Sequence, residues 1–479
     1  MTRVRLVLAA LAVVALAPSL AFAQNSRAEL ERIAKAMGAT NLKSIEITAG
    51  GVDYAVGQSV VPGAPWPRFT VTEFTRTVDY QASALRDEYL RTRAEDPPRG
   101  GGLPSRGEAR LRQFLSGDYA WNVVNDAPVP VPIALADRRV QLWVTPHGVV
   151  KAALANKATV QDRTITFSIP GHMSVRATVD RKRLVEYVQA TLPNAVLGDL
   201  TLEVRYSEYK EFGGVQFPLK IEQSAGGFPS VDLRVTGVKP NVAVDLAVPE
   251  AIRQAPSPYA KVTSEKVSDG VWYVTGGTHH SVVIEMKDHV IVVESPLNDE
   301  RALAVLTETR NLVPNKPIRY VVASHHHFDH AGGLRAFASV NVTVISHESN
   351  RAFLEQALAA PATTGPDLLA KSGRTGTVEG VKTRRTLTDG TRVVELHHIA
   401  DNTHCSGLLM VYLPKEKLLI EADAYTPLPT NTTPPPQPVS PFSINLTDNI
   451  KRLNLTVDQI LPLHGRIVPM AELNRTVGR

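Results

Sequence analysis

Metal-binding side chains are concentrated at positions 324–330, where the sequence reads Ser-His-His-His-Phe-Asp-His. Imidazole and carboxylate together favour zinc, iron, manganese or nickel over an oxygen-liking cation such as calcium. His325 and His327 are two positions apart and are expected to face one metal ion. Asp329 and His330 are expected to turn toward a neighbouring position. The run therefore predicts a metal site with room for a second ion.

The apolar segment 318–323, Ile-Arg-Tyr-Val-Val-Ala, directly precedes this run and predicts a buried strand. The histidines would then lie in the loop at the carboxyl end of the strand, where α/β folds place their ligand sites. Small residues at 331–333 and a helical stretch through about Phe337 complete a strand-loop-helix unit.

Three more ligand-type residues follow in order, each beside a strand-like run or turn residues. They are His404, Asp423 and His464, the last followed by Gly465. A surface histidine run or metal-scavenging tract is the alternative reading of the first cluster. The later residues argue against it, because a scavenging tract needs no partners elsewhere in the chain.

The order His-x-His-x-Asp-His, a lone histidine, an aspartate after an apolar strand and a final His-Gly resembles the metallo-β-lactamase superfamily of zinc hydrolases. The resemblance implies two zinc ions, with iron or manganese as alternatives. It assigns His325, His327 and His404 to one ion, Asp329, His330 and His464 to the other, and makes Asp423 the bridge. Asp423 stands where one lactamase subclass has a cysteine, and where the glyoxalase II and lactonase branches have an aspartate.

The implied chemistry is hydrolysis of an ester, thioester, lactone or amide carbonyl by a hydroxide held between the two ions. Asp329 is the candidate for orienting this nucleophile and shuttling its proton. Tyr425 is a candidate donor to the substrate carbonyl, because lactonases of the superfamily carry a tyrosine close after the bridging aspartate. A tyrosine that simply packs in the core is the alternative.

Several functions remain open within this frame. The predicted N-terminal export signal favours a true β-lactamase. Asp423 with Tyr425 favours an acyl-homoserine-type lactonase. A single-iron dioxygenase is disfavoured because all seven ligand positions are filled. A lipid- or partner-binding protein with a structural metal site is the non-enzymatic competitor, although structural zinc normally has four closed ligands.

The first 23 residues are expected to be a signal peptide. Arg3 and Arg5 precede an apolar run, and the small-x-small triplet 21–23 predicts cleavage before Gln24. We therefore expect a soluble periplasmic or secreted protein without a stable membrane anchor. Cys405 is the only cysteine, so no intrachain disulfide can form.

The expected partner is a small-molecule substrate with a hydrolysable carbonyl. The formal charge of +5 is a mild excess, and the basic runs lack interleaved aromatic residues, so no nucleic acid is expected as a partner. Nothing in the sequence specifies an oligomeric state.

We predict an α+β chain of two domains. A mostly antiparallel β domain covers 24–250, a linker follows at 251–261, and the resemblance implies an αββα metallo-β-lactamase sandwich at 262–479. Alternating segments predict strands in the first domain, 139–144 among them, while 26–37 and 181–192 are expected to be helices. The segment 200–238 resembles the half-barrel domains of lipoprotein-carrier proteins. Such a sheet would offer a concave apolar face to a lipid or a long substrate, and a purely structural domain is the alternative.

Further residues around the cluster have weaker assignments. Glu294 is expected to support the ligands without binding metal, and His326 to point away from the ions. His279 and His280 lie in a predicted loop that either approaches the site or serves only as a loop. The proline-rich segment 427–441 is expected to form a rim that shapes substrate access.

Overall fold

The computed structural model describes residues 24–103, 105–428 and 438–478 of the 479-residue chain. The predicted signal peptide lies outside the described residues, as do positions 429–437 of the predicted rim. Within the described ranges, no helix is long and apolar enough to cross a membrane.

A single antiparallel sheet of 13 strands forms the body of the first domain. Its strands run in the order β6-β5-β4-β3-β2-β1-β13-β12-β11-β10-β9-β8-β7, so that the first and last strands of the domain pair at its centre. The elements of this domain and of the connection that follows it are α1 (24–37), β1 (Ser44–Tyr54), β2 (Arg68–Asp79), β3 (Ala84–Arg93), β4 (Glu108–Ser116), β5 (Tyr119–Val124), β6 (Ala127–Pro130), α2 (Leu135–Trp143), α3 (Pro146–Ala155), β7 (Thr159–Gln161), β8 (Thr164–Ile169), β9 (Met173–Val179), β10 (Val185–Asn194), β11 (Gly198–Phe212), β12 (Val215–Ala225), β13 (Phe228–Pro240) and α4 (Glu250–Arg253).

The sheet curves around its own helices. Helix α2 contacts strands β3, β4 and β5 near one edge and strand β10 on the other half of the sheet. Period-two alternation supplies the apolar lining, since on β11 Leu200, Leu202 and Val204 are buried while Arg205 is exposed. Two apolar clusters result: one packs α1 and α3 against β8–β11, and the other joins α2 to β1, β2 and β13. The predicted antiparallel β domain is confirmed, and its kinship with carrier half-barrels stays a prediction.

Two element predictions in this domain are wrong. The segment 139–144, expected to be a strand, belongs to α2 and its C-cap, and 181–192, expected to be a helix, is a turn followed by β10. A spacing of four residues places side chains on one face in both a helix and a strand, so Val140 and Val144 fit either structure. Helix α2 is also enclosed by the sheet, which buries several of its faces and weakens its 3.6-residue period.

The second domain contains two sheets. One has the order β14-β15-β16-β17-β18-β19-β20 and the other β21-β22-β23-β24-β25-β26. The elements are β14 (Thr263–Ser268), β15 (Val271–Thr275), β16 (Ser281–Glu285), β17 (Val290–Val293), α5 (Asp299–Leu312), β18 (Ile318–Val322), α6 (Phe328–Ala331), α7 (Leu334–Ser339), β19 (Thr343–His347), α8 (Glu348–Ala359), α9 (Leu368–Ser372), β20 (Val378–Val381), β21 (Arg384–Thr388), β22 (Val393–His398), β23 (Leu409–Leu413), β24 (Leu418–Glu421), α10 (Pro441–Arg452), β25 (Gln459–Pro462), β26 (Val468–Pro469) and α11 (Met470–Val477).

These sheets face one another and carry helices on their outer sides. Val293 and Val322 of the first sheet share the inter-sheet core with Val411 and Ile420 of the second sheet. Helices α5, α7 and α8 cover the outside of the first sheet, and α10 and α11 cover the second. Strand β17 is fully buried and β18 is buried toward its end, so both read as near-continuous apolar runs. The predicted αββα sandwich is confirmed.

His147 on α3 is a buried histidine far in sequence from the predicted metal ligands. Its ring stacks on Phe217, and Nε2 donates to the carbonyl oxygen of Met37 at 3.1 Å. Burial is the main reason that its pKa falls to about 4. The unfolded chain therefore binds more protons than the folded chain between that value and about 6.5.

We expect the first domain to lose stability through His147 as the pH falls through this window. From pH 7.5 to 5.0, wild type should lose about 2 kcal/mol more unfolding free energy than His147→Gln, which keeps a donor for Met37 but does not titrate. Urea titrations followed by tryptophan fluorescence measure this, because three of the four tryptophans, at positions 66, 121 and 143, lie in the first domain. Equal pH dependence in the two proteins would contradict the assignment.

Candidate metal centre

The predicted ligands come together at one edge of the sandwich, and both sheets contribute. His325 and His327 lie in the loop after β18, and Asp329 and His330 lie on the short helix α6. From the second sheet, His404 lies between β22 and β23, Asp423 follows β24 and His464 follows β25. Because β18, β24 and β25 end at this edge, residues separated by more than 100 positions in the chain become neighbours.

The first donor group contains His325, His327, His404 and Asp423, whose ligand atoms all lie within 4.8 Å of one another. Asp423 Oδ2 is 3.3 Å from His325 Nε2 and 3.2 Å from His404 Nε2. The two imidazole nitrogens are themselves 3.4 Å apart. Three nitrogens and one carboxylate oxygen therefore converge on a single point.

The second donor group contains His279, Asp329, His330 and His464, again within 4.8 Å. Asp423 also reaches this group, since Oδ2 is 2.8 Å from His330 Nε2 and Oδ1 is 3.2 Å from His464 Nε2. Its carboxylate thus lies between the two groups, at the position expected of a bridging ligand. Asp423 has a positive φ of 59°, a conformation that non-glycine residues hold only when their surroundings impose it.

The outward ring nitrogens of these histidines are held by hydrogen bonds. Nδ1 of His325 lies 2.9 Å from Ser324 Oγ, and Nδ1 of His330 lies 3.2 Å from a carboxylate oxygen of Glu294. Nδ1 of His464 donates to the carbonyl oxygen of Thr278 at 2.9 Å. Such bonds fix the tautomer and ring orientation of metal-ligating histidines. Glu294 therefore takes the supporting position that its sequence location indicated.

Burial and neighbouring charges set the protonation of the cluster. Burial holds the pKa of His325 and His327 well below the usual value, so that both are neutral and carry lone pairs. Burial opposes the charged form of His330, yet the carboxylates of Asp423 and Asp329 raise its pKa well above the usual value. Burial likewise opposes ionisation of Asp423, but His330 and its neighbours hold the pKa of Asp423 well below its usual range.

These donors fit metal ions. Among the described residues, the buried Nδ1 of His327 has no hydrogen-bond partner, although an unpaired polar atom in the interior is costly. Its other nitrogen, Nε2, donates to the carbonyl oxygen of Ser59 at 2.8 Å, which leaves Nδ1 as the free lone pair of the first group. Cations at the two points of convergence would satisfy this atom and the facing imidazole nitrogens.

His279 had two possible roles in the sequence analysis, as a residue of the metal site or as a plain loop residue. It lies in the loop between β15 and β16, and its Nε2 is 3.3 Å from Asp329 Oδ2. Its ring centroid is 4.2 Å from that of His464, and burial lowers its pKa to about 4. The structure therefore favours the site role for His279 over the loop role. His280, its neighbour, instead points its Nε2 at the carbonyl oxygen of Gly465.

The first domain also contributes to the centre, which the sequence reasoning missed. Its loop 55–60 brings the Ser59 carbonyl to His327 and the Gln58 side chain to Asp329, where Nε2 donates to Oδ1 at 2.8 Å. Close approach requires glycine here, because a Cβ on Gly57 would lie 2.4 Å from the Phe328 ring, at a φ of 80°. No motif in the sequence marks this loop.

The prediction of a catalytic role for Tyr425 is not supported. Its side chain is buried with Leu446 and Leu473 under helices α10 and α11. Its hydroxyl lies 3.4 Å from Thr476 Oγ1, while its backbone N–H donates to Glu421. The tyrosine is a packed aromatic, which was the alternative, because the chain turns away from the metals directly after Asp423.

His326 points away from the ions, as expected, and lies beside Cys405. His326 turns away from both donor groups, with Nε2 3.2 Å from Ser59 Oγ and Nδ1 3.4 Å from Cys405 Sγ. Cys405 is fully buried, and burial raises the pKa of its thiol to about 12, so it is a protonated, small apolar residue.

A family model described as the Metallo-beta-lactamase superfamily matches residues 274–455, a segment that contains all the donors above except His464. The match supports the resemblance that the ligand pattern indicated for this part of the chain. Members of the superfamily are mostly metal-dependent enzymes, and the two His/Asp groups have the composition to hold metal.

The protein and the solved structures that the chain matches are distant from it in sequence. The chain is 27% identical over 169 residues to the 2,4-dinitroanisole O-demethylase subunit alpha of Nocardioides sp. (strain JS1661), an alignment that covers 35% of this chain and 48% of that protein. This chain thus spans about half the length of that relative. Solved structures that resemble it include a metallo-β-lactamase from Pontibacter korlensis (18% identity, TM-score 0.36, 46% of this chain and 98% of that chain) and FIM-1 from Pseudomonas aeruginosa in the mono-zinc form (15%, 0.34, 46% and 95%).

We expect Asp423→Asn to lose metal from both groups, because the amide removes the negative charge that all four neighbouring histidines face. Asparagine tolerates the left-handed backbone at this position, so the folded chain should survive. Elemental mass spectrometry after dialysis should find bound metal reduced by at least half relative to wild type. Asp458→Asn, which alters an exposed carboxylate beside Lys417, is the matched control. Unchanged metal content in Asp423→Asn would contradict the bridging role.

Proposed function

We propose that the chain is an exported hydrolase that uses two zinc ions to open an ester, thioester, lactone or amide. The observation that carries the proposal is the pair of adjacent donor groups joined by Asp423, each with three histidines and one aspartate. Structural zinc sites are normally closed by four ligands and have no bridging residue, so this arrangement favours catalysis over fold stabilisation.

His325, His327 and His404 would hold one ion, and Asp329, His330, His464 and His279 the other, with Asp423 shared between them. When bound, the ions supply a hydroxide at neutral pH and polarise the scissile carbonyl. The burial that keeps His325 and His327 neutral leaves their lone pairs available to the first ion, and the carboxylates of Asp329 and Asp423 would offset the charge of the second.

Asp329 is the residue that the geometry favours for moving the proton. Its two oxygens are held in different directions, Oδ1 by Gln58 and Oδ2 by His279, so the carboxylate has a fixed orientation. Its side chain is 36% exposed, whereas the neighbouring His330 is fully buried. In the proposed reaction, water adds its hydroxyl to the carbonyl carbon, the bond to the leaving oxygen, sulfur or nitrogen breaks, and Asp329 passes the proton to the leaving atom.

The geometry of the site changes the support for each alternative. The lactonase reading loses the support of Tyr425, whose hydroxyl faces Thr476. The β-lactamase reading keeps the support of the N-terminal signal pattern. The named O-demethylase relative favours a second candidate, removal of a methyl group from an oxygen, and methoxy-substituted nitroaromatics therefore belong among the substrates tested.

Export, and with it a periplasmic or secreted location, is part of the proposal. It is supported by the basic start, apolar run and small-x-small triplet of residues 1–23. We further propose a small-molecule substrate and no nucleic-acid partner, in line with the mild net charge.

The test is hydrolysis of a panel of p-nitrophenyl esters, thioesters, lactones and nitrocefin by protein loaded with zinc. We expect turnover that a chelator abolishes and zinc restores, and at least a 100-fold lower kcat in Asp329→Asn, because the amide cannot accept the proton. Asp288→Asn, an exposed carboxylate beside His289, is the control variant.

Metal content is measured in parallel, so that a loss of zinc from Asp329→Asn is separated from a loss of proton transfer. If zinc-loaded wild type turned over none of these substrates but demethylated 2,4-dinitroanisole, the second candidate would replace the first. Equal turnover by Asp329→Asn and wild type would rule out the role assigned to Asp329.

A further inference from the structure

A cavity of about 820 Å³ lies inside the curved sheet of the first domain. Its volume is in the range of sites that enclose drug-sized ligands. We call it the acyl chamber and define it by six apolar wall residues on strands β1, β2, β11, β12 and β13: Ile47, Val71, Phe74, Leu202, Phe217 and Leu233.

Several charged residues of the chamber wall are paired with their own neighbours. Arg76 forms an ion pair with Asp87 at 2.7 Å, and Asp53 forms one with Arg91 at 2.5 Å. Arg138 donates to the backbone carbonyls of Phe114 and Trp121 instead of pointing an open guanidinium at the cavity. The wall is therefore mainly apolar, with Arg76, Asp53 and Arg138 turned to their own partners and the carboxylates of Asp137 and Asp329 as its further acidic groups. This surface suits the hydrocarbon part of a ligand and disfavours an anionic one.

The chamber reaches the metal centre. Leu297, Phe328 and Asp329 of the second domain form part of its wall, together with Gln58 of the first domain. Asp329 is both a member of the second donor group and a wall residue of the chamber. A molecule that fills the chamber thus ends beside the carboxylate that the proposed reaction uses.

We propose that the acyl chamber binds the hydrocarbon chain of the substrate and presents its carbonyl carbon to the metal centre at Asp329. The substrate class is then an ester or thioester of a medium- or long-chain acyl group. This inference rests on the proposed hydrolase function and deepens it. Each methylene that leaves water for the chamber should raise kcat/KM by up to about fourfold until the chamber is full.

Two variants fill the chamber from opposite walls. Val231→Phe projects from strand β13, and Ala136→Phe projects from helix α2; both positions line the cavity and are only partly buried. Thr236→Phe is the matched control, because it lies on the same strand as Val231 with its side chain exposed on the other face of the sheet. Thermal unfolding and turnover of p-nitrophenyl acetate confirm that each variant is folded.

The first measurement detects binding without chemistry. N-phenyl-1-naphthylamine fluorescence should rise on mixing with wild type and fall when 1-dodecanol displaces the probe. We expect at least tenfold weaker binding of the probe to Val231→Phe and Ala136→Phe, and binding within twofold of wild type for Thr236→Phe. Equal probe binding in all four proteins would overturn the chamber as a binding site.

The second measurement couples the chamber to the metal centre. Below their critical micelle concentrations, p-nitrophenyl esters from acetate to dodecanoate should show kcat/KM rising at least tenfold with chain length in wild type and Thr236→Phe. The two chamber variants should lose this rise and keep acetate turnover within twofold. A flat profile in wild type that nevertheless binds the probe would overturn the link between chamber and metals.

Failure of the proposed function is distinguishable from failure of the chamber. If wild type hydrolysed no ester of any length but bound the probe in the chamber, the hydrolase proposal would fail for esters and the substrate assignment would fall with it. If wild type hydrolysed short esters but did not bind the probe, the hydrolase would stand and the chamber assignment would fail.

Discussion

The centre of the second domain depends on one electrostatic constraint: six imidazoles and two carboxylates must share a largely buried volume around Asp423. Buried charge is tolerated only when it is paired, and buried lone pairs only when they are satisfied. The Asp423 carboxylate lies within 3.3 Å of nitrogens on four histidines. The outward nitrogens of His330, His464 and His327 are bound to Glu294, Thr278 and Ser59, respectively. The Nδ1 of His327 is left without a partner in the described part of the chain, and the remaining donor atoms of the two groups face one another, so these convergent atoms define the places for cations.

This constraint ties the two domains into one working unit. The ring of His327 is oriented by a backbone carbonyl of the first domain, and Asp329 is oriented by Gln58 from the same loop. A second loop of the first domain also lies close to His327, since a Cβ on Gly101 would be 3.2 Å from Cε1 of that ring. Separating the domains would leave the Nε2–H of His327 without its acceptor and free the Asp329 carboxylate to rotate. The first domain is therefore part of the metal centre's support.

Much of the second domain was predictable because its chemistry is local: the ligands at 325–330 share one loop and one helical turn, and the later ligands follow apolar runs. His279 was harder to assign, because a histidine in a glycine-containing loop carries no distinctive spacing. The errors come from tertiary structure. Tyr425 follows a positive φ at Asp423 that directs the chain into the core. On α2 the buried residues Arg138, Val140 and Leu142 are two positions apart, which is the spacing of a strand. The loop 55–60 contacts residues 267 positions or more away along the chain, and such contacts leave no local sequence pattern.

The acyl chamber lowers the stability of the first domain, and support of the metal centre does not explain why this cost is retained. Protein interiors are close-packed, and an apolar void costs stability because its lining atoms lose contacts. The Arg76–Asp87 pair adds a desolvation cost, since two charges are removed from water at the wall of the cavity. A domain whose role was only to support His327 and Asp329 would gain by filling this space with larger side chains. The retained volume, with Asp329 in its wall, is therefore better explained by a ligand that occupies it.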